Sequence, residues 1–216
     1  MPTDIPDDSR PELTPAAHSE WDSHVEAVLR GIAHALNNRA TALSAVIELA
    51  RDPKEDSAVS AILGTELTRV GDLVGAVRSM VSGKGGPEAF DPADVAPEAQ
   101  AILQLHAELR DRRVTIVATG AVPLRVPRWM FVRALVVLGA NAARASQDAK
   151  VVIAAEGDWL ITLAEVEHAT AASTGITPYL NELARAMGGE PLQTTGGFGF
   201  RVPTLAALRR REGRAD

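Results

Sequence analysis

The stretch GIAHALNNRATALSAVIELA, residues 31–50, decides how the N-terminal part of this chain folds. Its apolar residues keep helical spacing, yet Asn37 and Asn38 stand side by side in the middle of it. Asparagine is a poor interior helix residue because its side chain competes for backbone hydrogen bonds. From Trp21 to Arg51, the residues Val25, Leu29, Ile32, Leu36, Leu43, Val46 and Ala50 alternate steps of four and three. Only the step at Arg39 is polar. This is a coiled-coil-like seam, and it predicts packing against other helices. With Ile32 and Leu36 on the seam, His34 falls on the opposite side, and Asn38 and Thr41 follow it along the same outer stripe.

RDPKED (51–56) breaks the helix at Pro53, and Asp56 or Ser57 can cap a second one running to Val81. Its apolar face is Val59, Ile62, Leu63, Leu67, Val70, Leu73, Val77 and Met80. Two long amphipathic helices joined by a short turn form an antiparallel hairpin. So narrow a hairpin cannot bury both stripes alone, so two of them pairing into a four-helix bundle is expected, and with it a homodimer.

Residues 1–20, rich in Pro, Asp and Ser, read as a flexible tail, and 21–83 as the hairpin. SGKGGPEAFDP (82–92) is a Gly/Pro linker, after which the texture changes. A helix is expected at 93–111, a strand at Val114–Ala118 and a helix from Arg128 to Ser146. KVVIAA and WLITLA follow as strands around EGD, then a helix at 177–187 and two strands in GGEPLQTTGGFGFRVP. Residues 87–208 thus read as an α/β domain with helices on one face of a small mixed sheet, and 209–216 as a basic tail.

Net charge is −6, which argues against nucleic acid as the main partner. The chain has no cysteine, so disulfides, thiolate zinc sites and cysteine nucleophiles are excluded. No apolar run approaches membrane-spanning length and MPTDIPDDSR has no signal-peptide character, so a cytoplasmic protein with no membrane partner is expected. His18, His24, His106 and His168 have no metal-ligand spacing and carry no assigned role; no metal site is expected.

An exposed imidazole is partly unprotonated at pH 7 and can act as a nucleophile. Here a resemblance enters. GIAHALNNRATALSAVIELA resembles the phosphoacceptor box of bacterial two-component histidine kinases, in which a helix carries His, a polar pair and a small apolar run before an antiparallel partner helix. The segment from FDPADV to ANAARAS (90–146) resembles the opening half of the kinase ATP-binding domain, with FVRALVVLGANAARA similar to its N-box. The likeness spans about residues 24–204. It implies an α+β chain: a dimerisation and phosphotransfer hairpin, then an ATPase-like α/β sandwich. It also implies that His34 is the phosphoacceptor and that Asn141 stands where the family coordinates Mg²⁺ beside the nucleotide phosphates.

The departures from that pattern are equally specific. After the strand that follows the N-box, the family's ATP binders carry an Asp and Gly-x-Gly; LITLAEVEHATAAS (160–173) has neither, with Glu165 as the residue that would imitate the acid. TAASTG leaves no room for the Gly-rich ATP lid, and Gly196, Gly197 and Gly199 fall in the last hairpin, where turn geometry explains them. Ala35 replaces the acid that follows the histidine and serves as general base, Arg39 replaces a common proline, and Asn141 reads as a relic. An intact phosphoacceptor helix with its ATP machinery stripped away resembles the dimeric phosphotransferases of phosphorelays. The expected function is phosphoryl transfer between response-regulator receiver aspartates through His34. Asn37, Asn38 and Thr41 would orient the ring or bind phosphoryl oxygens, Mg²⁺ would come with the receiver, and neither ATP nor a tightly bound cofactor is expected. The alternatives are an ATP-dependent histidine kinase with a divergent nucleotide pocket and a non-catalytic pseudokinase scaffold.

Overall fold

The structure is a computed structural model that describes residues 14–49, 56–81, 83, 85–120, 122–165 and 175–213. The break expected at Pro53 lies outside them. Helix α1 (Pro15–Leu49) and helix α2 (Asp56–Val81) pack on one another as the hairpin. α1 begins inside the stretch read as a tail, because its first turns have something to bury. Ala17 and Trp21 enter the main core, and the Thr14 backbone N–H donates to Glu182 at 2.9 Å.

Beyond the hairpin, strand β1 (Glu88–Phe90) pairs antiparallel with β3 (Leu124–Val126) as a separate two-stranded ribbon. Neither short strand stands out in the sequence. The main sheet has the order β2-β4-β5-β7-β6, formed by β2 (Arg113–Thr119), β4 (Asp148–Glu156), β5 (Trp159–Glu165), β7 (Gly197–Pro203) and β6 (Glu190–Thr194). β2 and β4 are parallel, and the crossover between them carries helix α4 (Arg128–Ala145); the remaining pairs are antiparallel. Val151 and Ile153 of β4, with Leu160, Thr162 and Ala164 of β5, form the fully buried face, as period-two alternation requires. Helices α3 (Ala96–Gln104), α4 and α5 (Pro178–Ala186) contact the sheet, and α4 is the most deeply buried of them.

The helix expected over 93–111 is cut short. α3 ends at Gln104, His106 is extended, and Ala107–Leu109 is a separate 3-10 turn. The cause lies in α1: a Cβ at Gly31 would run into the Leu105 carbonyl oxygen, so α1 crosses this corner backbone to backbone. Turn geometry does not account for Gly197 and Gly199 either. Both lie within β7, where a Cβ would meet the carbonyl oxygens of Ala164 and Thr162 on β5. Part of the stretch read as a basic tail is helical, since helix α6 (Leu205–Arg211) sets Arg210 against Asp158 and Arg211 over the Trp159 ring at 5.5 Å.

The base of the hairpin is fastened to the α/β domain by a dense contact. Trp21 stacks on Tyr179 with ring centroids 5.7 Å apart, and the Arg133 guanidinium lies between Trp21 at 4.5 Å and Trp129 at 4.8 Å. Arg133 donates at 3.1 Å to the Met80 carbonyl at the end of α2. Glu20 of α1 accepts from the Tyr179 N–H in the first turn of α5, a favourable place for a carboxylate.

Candidate functional site

His34 stands on the exposed side of α1, just above the Gly31 crossing, and Asn37, Asn38 and Thr41 are exposed along the same helix. Asn38 Nδ2 lies 3.2 Å from His34 Nε2. An amide nitrogen can only donate, so Nε2 is the acceptor and the ring proton of the neutral imidazole sits on Nδ1. The nitrogen facing Asn38 is therefore the one with a nucleophilic lone pair. The Thr41 hydroxyl donates to the Asn37 carbonyl at 3.1 Å, an i−4 back-bond within the helix, which turns its proton away from the ring. Ala35, where the resemblance implies an acid, packs against the core.

On the seam the structure divides the expected residues. Ile32 and Val46 are buried, whereas Leu29 and Leu36 are 49 % and 44 % exposed; on α2, Leu67 is 71 % exposed. Ile47, Leu63, Val74 and Val81 are exposed too. Positions 29, 36 and 47 fall on one stripe of α1, and 63, 67, 74 and 81 on one stripe of α2. Each helix thus keeps an apolar stripe that its own chain leaves bare. Arg39, the polar step, has a partner: it reaches Glu66 across the hairpin at 3.3 Å, and Arg69 holds the same buried carboxylate at 2.6 Å.

Asn141 lies on α4, with both ends of its amide engaged by the protein. Its Nδ2 donates to the Gly175 carbonyl at 3.2 Å, and its Oδ1 accepts from Arg144 at 3.0 Å. Arg144 also pairs with Glu108 at 3.0 Å, and Glu108 faces Arg30 of α1 at 3.5 Å. Sequence reading singled out neither Arg30, Glu108 nor Arg144. Arg30 carried a usable signal, four residues before His34, but the other two are brought there only by the fold. Residues 166–174, where the lid question lies, are outside the described residues. Among the described residues no cluster of three or more His, Cys, Asp or Glu side chains is placed to hold a metal, and no helix is long and apolar enough to cross a membrane.

Two histidines without an assigned role meet inside the interface. His24 Nδ1 of α1 and His106 Nε2 lie 3.2 Å apart, with the rings edge to face and both residues buried. Burial pushes each pKa from the usual range down to about 4. The positive charge of Arg144 adds to this at both rings, while Glu108 opposes it. Glu108 itself is held below the usual carboxylate range, chiefly by its hydrogen bond from Arg144. Two neutral imidazoles share one proton well, so burial suits the pair at neutral pH.

The fold and the site define a helical hairpin that bears a solvent-facing histidine, with an α/β domain fastened to its base. Solved structures with which it is similar include the Acinetobacter baumannii histidine kinase AdeS, at TM-score 0.45 and 16 % identity, over 80 % of this chain and 98 % of that one. The cytoplasmic segment of the histidine kinase QseC gives 0.41 and 15 %, over 64 % and 93 %. The catalytic domain of the histidine kinase ThkA gives 0.42 and 12 %, over 55 % and 97 %. Likenesses at this level carry no argument about activity. No family model matches the chain, and no curated protein does.

Proposed function

We propose that this protein is a histidine phosphotransfer protein, which accepts a phosphoryl group from one receiver aspartate on His34 and passes it to another. The observation that carries the reading is the outer stripe of α1. There His34 is open to a partner's active site, and Asn38 holds its ring with Nε2 as the hydrogen-bond acceptor. In the forward step Nε2 forms the N–P bond as the aspartyl O–P bond breaks, the carboxylate leaves, and the Nδ1 proton passes to solvent. Asn38 must release Nε2 first, and its freed amide, with Asn37, is then placed to donate to phosphoryl oxygens. The receiver would bring Mg²⁺ and the acidic pocket; such transfer asks of the histidine side mainly position.

The amide of Asn141 is held within the protein, donating to the Gly175 carbonyl and accepting from Arg144, which fits a structural role in a reading without ATP. The bare stripes of α1 and α2 support a homodimer through the hairpins, in which Leu29, Leu36, Leu67 and Val74 meet their counterparts.

The test is to incubate the purified protein with radiolabelled Mg-ATP and, separately, with a labelled phosphorylated receiver, beside a His34→Gln variant. Label from the receiver, absent from ATP and lost in the variant, is the expected result. Label from ATP alone would establish a kinase instead. No label from a broad panel of receivers would leave a scaffold as the better account.

A further inference from the structure

Arg30 lies one turn before His34 on the same stripe, and it is the one charged residue in the run from Arg30 to Asn38. Residues four apart on a helix are neighbours, so Arg30 and His34 share one face a turn apart, as His34 and Asn38 do. The Arg30 side chain is 57 % exposed. Its two partners are distant: Glu26 at 3.8 Å on its own helix and Glu108 at 3.5 Å on the α/β domain. Glu108 is better served by Arg144 at 3.0 Å. Long, solvated pairs of this kind contribute little, so freeing Arg30 costs little.

We infer that Arg30 is the phosphoryl-binding residue of the site, exchanging Glu108 for the phosphoryl group once that group sits on His34. A phosphoryl group brings close to two negative charges and three acceptor oxygens, which a guanidinium fork matches better than one shared carboxylate does. Glu108 keeps Arg144, so the exchange does not leave that carboxylate without a cation. Arg30 thereby also reports the state of His34 to the α/β domain, since its bond to Glu108 joins the two along this stripe. The inference rests on His34 being the phosphoacceptor, and its test separates the two.

The probe is phosphoramidate, a small donor that needs no receiver. His34 Nε2 forms an N–P bond as the donor's P–N bond breaks, ammonia leaves, and the Nδ1 proton passes to water. Phosphohistidine is followed by ³¹P NMR in the intact protein and in Arg30→Gln, Arg30→Lys, Glu108→Gln and His34→Gln variants, each first shown to keep its thermal midpoint. Arg30→Gln is expected to slow phosphohistidine formation ~5-fold and to shift its ³¹P resonance. Arg30→Lys should recover part of the rate as a point charge, and Glu108→Gln, by releasing Arg30, should raise it ~2-fold. A purely structural Arg30–Glu108 pair would make both single variants change in the same direction, which overturns the inference. So does an Arg30→Gln rate equal to wild type with His34 still phosphorylated, and in that case the phosphoacceptor reading stands. No phosphohistidine in the wild type overturns both.

Discussion

The two halves of α1 make the instructive contrast. Up to Gly31 the helix is part of the α/β domain: Ala17, Trp21, His24 and Val28 are buried, and the backbone at Gly31 touches the Leu105 corner. From His34 onward the same helix contacts mainly α2, and its outer stripe faces solvent. One helix therefore does two jobs, anchoring at one end and presenting at the other. A rigid base gives the exposed histidine a fixed position, which the proposed phosphoryl transfer would need.

The contrast is broken most severely at the anchor. Trp21→Ala removes an indole that stacks on both Tyr179 and Arg133, and should cost roughly 4 kcal/mol of stability by chemical denaturation. A loss under about 1 kcal/mol would show the base to be loosely held. Next comes acid. Each of His24 and His106 has a folded pKa near 4 against 6.5 unfolded, so between those values the unfolded chain binds more protons. Stability is then complete above pH 6.5 and falls as pH drops toward 4, by roughly 3 kcal/mol for each histidine. Thermal midpoints across that window check it; His24→Phe should flatten the slope.

Substitutions beyond Gly31 should be gentler on the fold. Leu67→Asp, on an exposed stripe, should change monomer stability by less than about 0.5 kcal/mol yet abolish association in sedimentation experiments. Asn38→Ala should leave the thermal midpoint within about 1 °C, the scale of a few tenths of a kcal/mol. It should move the NMR tautomer balance of His34 toward Nε2–H, because the one donor holding Nε2 is gone. An unchanged tautomer would mean that Asn38 does not orient the ring.

What the sequence made legible follows the same division. The hairpin, its seam and the exposed stripe of His34, Asn37, Asn38 and Thr41 are local periodicities; α2 keeps its expected bounds, while α1 starts six residues before Trp21. The strands of the main sheet were readable from alternation and turn residues. The break at Leu105–His106 was not, because its cause is a glycine far away in sequence on another helix. His24 and His106 lacked ligand spacing, and their pairing depends on the docking of α1, which no local pattern encodes. Arg39 looked like a fault in the seam until Glu66, itself on the opposing helix, supplied the reason. Buried charge between two helices tends to fix their alignment at some cost in stability, and this pair is placed to set the hairpin's register.

The bare stripes have a consequence for how the molecule should respond to concentration. The turn-side half of the hairpin is packed on one side only, by its sister helix, and isolated helices owe most of their order to tertiary packing. A second copy would supply the missing wall, so mass action governs that half while the α/β domain holds on its own core. Amide hydrogen exchange over residues 43–49 and 56–67 should therefore accelerate on dilution, at a temperature where exchange in α4 stays unchanged. Abundance, rather than heat, would then decide how firmly the far half of the hairpin, and with it the upper flank of His34, is held.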